Sequence, residues 1–368
     1  MLFDGVIQRI ADWCDQGVTP SAVAGICQHG ESHVFCAGRR FPGDSSSTVT
    51  PDTLFDIASV TKPVATTTLV LQIMETGGWT LDTPIASILP ECNADTAKQA
   101  ITLHHLLTHT SGLPAWQPLY LLAASPATLV ESIAGIPLES PPGTRVTYSC
   151  LGFLLLGEAI RRFTGETLST VAANRIFWPL EMHDTQFNPP KSLRFRIAPT
   201  ELGNAYERTL SGDAGRDNAD WRRNRLHGEV HDGNAHFMHG EGGNAGLFST
   251  VPDLIRFGRC MLALGRLNST GILSMETVRL ATMNHTTGLG SHRGLGWQMA
   301  DSAGSAGTKF SPSAYGHTGF TGTSLWIDPE QDLVVVLLTN RAYFGGSGDQ
   351  FGRERASFHD AIISAVTG

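Results

Sequence analysis

The stretch Phe55-Asp56-Ile57-Ala58-Ser59-Val60-Thr61-Lys62-Pro63 decides how the rest of the chain is read. From Ser59 onward the spacing is helical, and Pro63 suits a first turn, where the amide has no intrahelical partner. A serine at a helix N-terminus lies in a positive field beside unpaired N–H groups. Both favour negative charge developing on an attacked carbonyl oxygen. Lys62 is three residues on and shares the face of Ser59. In a partly dry pocket such a lysine can lose its proton and help activate the hydroxyl. Taken alone, however, the tetrapeptide also reads as a serine N-cap followed by a surface lysine.

The surroundings in the sequence change that balance. Working outward, Leu106-Leu107-Thr108-His109-Thr110-Ser111-Gly112-Leu113 comes next, then Pro142-Gly143 and Tyr148-Ser149-Cys150. Ala245-Gly246-Leu247-Phe248-Ser249 precedes a helix, and Gly316-His317-Thr318-Gly319-Phe320-Thr321-Gly322 precedes a strand pair. In this order, these motifs resemble the serine β-lactamase and penicillin-binding-protein-like superfamily. The likeness is to the branch of class C β-lactamases, D-alanyl-D-alanine carboxypeptidases and related esterases, and it spans the chain from about residue 20 to the C-terminus.

The resemblance implies an acyl-enzyme mechanism without a cofactor or metal. Ser59 attacks a carbonyl. Tyr148 acts with Lys62 as general base, its phenolate stabilised by the neighbouring ammonium, then protonates the leaving group and activates water. The backbone N–H groups of Ser59 and Phe320 form the oxyanion hole, and Gly319 lets a substrate approach an edge strand. Cys150, His317, Thr318 and Gly319 contact substrate. Two residues depart from the pattern. His317 stands where many relatives carry lysine, and it is charged only below neutral pH. Cys150 stands where β-lactam-acting relatives often carry asparagine, and its thiol is a weak donor and acceptor. Both suit an esterase or a hydrolase of small amides. The alternatives are a D-Ala-D-Ala carboxypeptidase, a β-lactamase, or a non-catalytic penicillin-binding or sensor protein.

The periodicity predicts an α/β (α+β) fold. Residues 21–28 and 33–37 read as a hairpin turning through residues 29–32. Residues 324–327 and 333–338 read as a second hairpin, the latter run apolar enough for a strand buried on both faces. Residues 60–76, 103–108, 151–164 and 251–264 carry helical spacing or length. Thr250, Pro252 and Asp253 give the last a cap, a first-turn proline and a capping-box residue. An antiparallel sheet built from both chain ends (residues 1–60 plus 290–368), flanked by helices, with a mostly helical insertion (residues 61–289), follows as one domain over residues 1–368. Residues 188–244 are the least regular stretch. With residues 115–124 they are expected to carry the recognition surface.

A net charge of −8 and a pI of about 5.9 disfavour nucleic acid as a partner; only Arg222, Arg223 and Arg225 form a short basic cluster. The expected partner is a small-molecule substrate, and no motif speaks to oligomeric state. No apolar run is long enough for a membrane span. The N-terminus lacks the basic and apolar regions of a secretory signal, so the expected location is cytoplasmic, or periplasmic if a leader has been removed. Six scattered cysteines without C-x-x-C spacing read as free thiols, with Cys27 and Cys36 able to face each other across the first hairpin. Cys150 as an alternative nucleophile lacks a base nearby in sequence. His227, His231, His236 and His239 crowd near Glu229, Asp232 and Glu241, but Gly228, Gly233 and Gly240 argue against a helix that would align them as metal ligands. Gly345-Gly346-Ser347-Gly348-Asp349 lacks the second glycine of an α/β-hydrolase elbow.

Overall fold

The computed structural model describes residues 3–212, 221–300, 305–346 and 348–368. Its main sheet has six strands: β1 (Ser21–Gln28), β2 (Glu31–Gly38), β3 (Gln298–Met299), β4 (Tyr315–Thr318), β5 (Ser324–Asp328) and β6 (Leu333–Thr339), in the order β2-β1-β6-β5-β4-β3. Every pairing is antiparallel. The two chain ends therefore meet at β1 and β6, where Ala22 pairs with Thr339 and Gln28 with Leu333.

The apolar run of β6 explains why this sheet has two covered faces. Val334, Val336 and Leu338 point into the large core shared with the helical region. Leu333, Val335 and Leu337 point the other way, against α1 (Asp4–Asp15) and, at the other end of the chain, α5 (Asp349–Thr367). Phe3, Ile10, Trp13, Phe358 and Ile362 complete that second layer. These two helices lie within the regions read as sheet, and the sequence analysis did not place them.

Between the sheet halves run α2 (Thr68–Glu75), α3 (Cys150–Thr164) and α4 (Val251–Leu262). Thr250 caps α4 by accepting the Asp253 N–H at 3.4 Å. Asp253 does not return the bond as a capping box would. Its carboxylate accepts instead from the Asp184 N–H at 2.9 Å and the Thr185 hydroxyl at 2.8 Å, tying α4 to a distant loop.

Other expectations change in detail. The first hairpin turns through His29 and Gly30 alone, with φ of 50° and 83°, a tight turn that needs left-handed residues. The register sets Cys27 opposite Ser32 and Cys36 opposite Val23, so those two cysteines do not face each other. All six cysteines are unpaired thiols. A short helix, Gly233–Phe237, does form in the glycine-rich stretch, because Asp232 accepts the Ala235 N–H at 2.7 Å as its cap. Among the described residues no helix is long and apolar enough to cross a membrane.

Candidate active site

Ser59 is delivered by a small three-stranded sheet that local sequence did not reveal. Phe55–Asp56 pairs with Leu247–Ser249, which pairs in turn with Gln186–Phe187. The Ile57 N–H then donates to Leu247 O at 3.0 Å. Ala58, with φ of 47°, sits in the left-handed region and turns the chain sharply. Its N–H donates to buried Asp56 at 2.8 Å, and the other Asp56 oxygen accepts the His231 N–H at 2.7 Å. Burial pushes the Asp56 carboxyl above its ordinary range, and these two amide bonds offset part of the rise.

Ser59 lies within a 3-10 turn, Ala58–Val60, and is not a plain N-cap. Lys62–Thr67 follows as a π-helix before α2 begins. The wider turn is filled by side chains: the Thr68 hydroxyl donates to Pro63 O at 2.8 Å and the Thr66 hydroxyl to Gly243 O at 2.7 Å. The Thr66 bond, with that of Lys62 to Asn244 O, docks the start of the helix against residues 243–244.

Lys62 is wholly buried. Its Nζ donates to Ser59 Oγ at 2.9 Å and to Asn244 O at 2.9 Å, and stands 3.7 Å from Cys150 Sγ. It also lies 4.9 Å from the centre of the Tyr148 ring, and the Tyr148 hydroxyl is within reach of both Lys62 and Ser59. Burial opposes the lysine charge, but the acidic groups around it, Cys150 and Tyr148 once ionised and Asp232, hold the ammonium above the usual lysine range. Burial pushes the Tyr148 phenol up as well, and Lys62 offsets this only in part. The resting pair is therefore an ammonium and a neutral phenol. Cys150 is likewise pushed up by burial, so the thiol stays protonated, and Lys62 is its close polar neighbour.

On the opposite wall β4 brings His317, Thr318 and Gly319 to the same cavity of about 600 Å³, and Phe320 follows them. β4 is not the edge of the sheet, as the sequence analysis supposed. The two-residue β3 lies outside it, but covers only Tyr315 and Gly316 and leaves the triplet open. Gly319 packs so closely that a Cβ there would stand 2.1 Å from Thr323 Oγ1 and 2.5 Å from Ile57 O. The glycine thus sets the distance between this turn and the Ser59 turn. Neither the Ser59 nor the Phe320 N–H has a protein acceptor among the described residues. His317 Nδ1 lies 2.8 Å from Thr318 O, which requires its proton to be on Nδ1. Burial, then Lys62 and Arg293, push this imidazole well below its ordinary range, so it is neutral and offers only an acceptor, Nε2.

The irregular segments supply the remaining walls: Trp116 from one, Tyr206, Glu207 and Asp232 from the other. Residues 213–220 of that stretch lie outside the described residues, as does Ser347. Burial, with Asp232 nearby, pushes the Glu207 carboxyl up. Arg293, Arg341 and Arg355 line the side nearer the His317 strand. None of these, nor His109 behind Tyr148, announced itself by local spacing, though His109 lay within a motif already noted. The histidines of residues 227–239 go to separate neighbours. His227 meets Arg194 O at 2.9 Å, His231 meets Glu201 at 3.0 Å, and His236 borders a second cavity. Arg222 and Arg225 are spent on backbone carbonyls, among them Val230 O and Tyr343 O.

Comparison with known proteins agrees with this architecture. The family model named Beta-lactamase matches residues 3–357. The chain is 34% identical over 314 residues to a putative D-alanyl-D-alanine carboxypeptidase of Escherichia coli K12, covering 80% of this chain and 70% of that protein. It is 31% identical over 316 residues to an N-acetylmuramyl-L-alanine amidase of Bacillus subtilis, covering 79% and 68%. Among solved structures it resembles EstCE1, a hydrolase with promiscuous acyltransferase activity, with a TM-score of 0.76, 22% identity and 98% of both chains covered. A penicillin-binding protein homologue from Caulobacter crescentus aligns with a TM-score of 0.74 and 21% identity over 98% of this chain and 97% of the other. This chain belongs to the beta-lactamase family of serine hydrolases.

Proposed function

We propose that the protein hydrolyses a small ester or amide through an acyl-enzyme on Ser59. The observation that carries this reading is the 2.9 Å bond between Lys62 Nζ and Ser59 Oγ at the wall of a cavity that Tyr148 and Phe320 also line. Ser59 attacks the carbonyl, and its proton passes to the Lys62–Tyr148 pair, which must first shed one proton of its own. Tyr148 returns a proton to the leaving group and then activates water. The oxyanion is held by the Ser59 and Phe320 amides. Cys150, His317, Thr318 and Gly319 shape substrate recognition. A neutral, acceptor-only His317 and a thiol at position 150 favour an ester or small amide over a β-lactam.

A D-alanyl-peptide substrate is the second reading. The carboxypeptidase names of the relatives favour it, as do the guanidinium groups at one side of the cavity, which suit a carboxylate. A binding or sensor protein without turnover is the reading of another class. The cytoplasm belongs to the proposal as well, since six free thiols suit a reducing compartment. The test is a panel of nitrocefin, p-nitrophenyl esters of several chain lengths and D-Ala-D-Ala peptides, with Ser59→Ala as control. Ester turnover that disappears in S59A supports the reading. Nitrocefin turnover without esterase activity overturns the ester preference, and rapid acylation without turnover of any substrate points to a sensor.

A further inference from the structure

The turn that presents Phe320 is closed by its own backbone. The Gly319 N–H donates to Thr323 O at 2.8 Å and the Gly322 N–H to Gly319 O at 3.0 Å. The Thr321 hydroxyl reaches Asp56 O at 2.7 Å and the Thr323 hydroxyl Ile57 O at 2.9 Å, which fasten the turn to the Ser59 segment. From the flank, Arg341 Nε donates to Phe320 O at 2.9 Å and the Thr339 hydroxyl to Thr321 O at 2.8 Å. Yet a second buried arginine stands behind the turn. Arg355, on α5, places Nη1 3.3 Å from Gly319 O and 3.1 Å from Thr323 O. Both acceptors are carbonyls, and no carboxylate forms an ion pair with Arg355 among the described residues. Burial and the neighbouring Arg341 both oppose its charge. A buried guanidinium costs stability unless something answers it, and a turn closed by its own backbone and already held by Arg341 does not need a second one for its shape.

The Gly319 carbonyl and the Phe320 N–H are the two ends of a single peptide group. A charged donor on the carbonyl draws electron density across the amide, so the N–H at the far end becomes a stronger donor. Like that of Ser59, the Phe320 amide has no protein acceptor among the described residues. We infer that Arg355 is a positioning residue for the oxyanion hole: it polarises and orients the Gly319–Phe320 peptide, and its charge stabilises the tetrahedral intermediate on Ser59 more than the bound substrate. This rests on the acyl-enzyme reading above.

The test uses R355M, R355Q and R355K in the full chain. It measures kcat and KM with a p-nitrophenyl ester and the affinity of phenylboronic acid, which forms a tetrahedral adduct with an active-site serine. Losing a direct oxyanion donor costs about a hundred- to a thousandfold, so losing a group that acts through one should cost about tenfold. The expected result is that R355M lowers kcat and boronate affinity together by about that factor, with KM little changed, while R355K keeps most of both. Wild-type kcat and boronate affinity in R355M overturns the inference, as does an R355K loss as large as that of R355M. If R355M does not fold, the comparison of R355K with the neutral donor R355Q decides. The inference requires tighter boronate binding in R355K, and equal or weaker binding overturns it. If S59A abolishes turnover while R355M is unaffected, only this inference fails. If S59A keeps turnover, the reading beneath it fails.

Discussion

His109 holds the chain on both sides of Tyr148. Its carbonyl accepts the Thr147 N–H at 2.9 Å, its Nδ1 accepts the Ser149 N–H at 3.0 Å, and its ring centre lies 4.6 Å from that of the tyrosine. An N–H pointing at Nδ1 means that nitrogen carries no proton, and burial keeps the ring neutral, well below its ordinary pKa. Replacing His109 with leucine leaves the buried Ser149 amide without an acceptor, a cost of about 1–3 kcal/mol. It also frees the tyrosine to drift, so kcat should fall more than KM rises. Asparagine offers an acceptor and tolerates the left-handed φ of 58°, so H109N should recover part of the loss. Thermal denaturation and ester kinetics on both variants check this. A leucine variant with wild-type melting and turnover would count against the clamp.

The proton inventory of Lys62 and Tyr148 makes a pH prediction. Both groups are held above their ordinary values in the free protein, so the base form is scarce at neutral pH. Activity needs one proton removed from the pair, so kcat/KM for a neutral ester should climb through neutrality and continue upward above pH 8. His317 is neutral across this range and adds no step near its ordinary pKa. A pH–rate profile that reaches its plateau below pH 7 would contradict this account.

Lys62→Met separates function from stability. Removing half of a general base should cost about a hundred- to ten-thousandfold in turnover. The fold holds the ammonium above its ordinary range, so removing it and leaving the buried Asn244 carbonyl without this donor should cost about 1–3 kcal/mol. K62M is therefore expected to fold with a modestly lower melting temperature, far less affected than its turnover. Loss of turnover only in proportion to lost folded protein would show that Lys62 is structural.

Gly319→Ala tests spacing alone. The added methyl would collide with Thr323 Oγ1 and Ile57 O, both of which fasten the turn to the Ser59 segment. The turn must then move off the nucleophile, and activity should fall by about a hundredfold, the scale of a lost oxyanion donor. Labelling of Ser59 by a fluorophosphonate should slow in step with ester turnover. Unchanged labelling would place the oxyanion hole elsewhere.

Cys150→Asn tests specificity. The position lines the cavity next to Lys62, and an amide there restores a donor and an acceptor that the thiol lacks. Nitrocefin turnover should rise in C150N relative to the wild type while ester turnover changes less. If nitrocefin turnover stays flat, the departure at position 150 does not explain substrate preference.

Much of the fold was legible because its signals are local. The run of residues 333–338 is apolar at consecutive positions, and only a strand covered on both faces hides all of it. The α4 boundary was marked by Thr250, which does cap that helix; Ser149, read only as part of a motif, caps α3 in the same way. The terminal helices escaped notice because their apolar residues meet the sheet and each other across the whole length of the chain, as Trp13 meets Phe358 with ring centres 5.6 Å apart. Asp253 misled because its carboxylate had a better offer from Asp184 and Thr185 than from its own helix end.

The same division runs through the site. The sequence by itself determined that Ser59 and Lys62 share one helical face, since a separation of three residues is a property of the helix, and the order of the other motifs placed the chain in its family. Only the tertiary structure decided what state those groups rest in and what surrounds them. Asn244 O caps the lysine, His109 grips the tyrosine, and Arg355 stands behind the Phe320 peptide. Burial, not the spacing of residues, keeps Tyr148 protonated and His317 neutral. The physical reason is that desolvation and long-range hydrogen bonds depend on which distant segments close over a residue, and no local pattern of the chain records that.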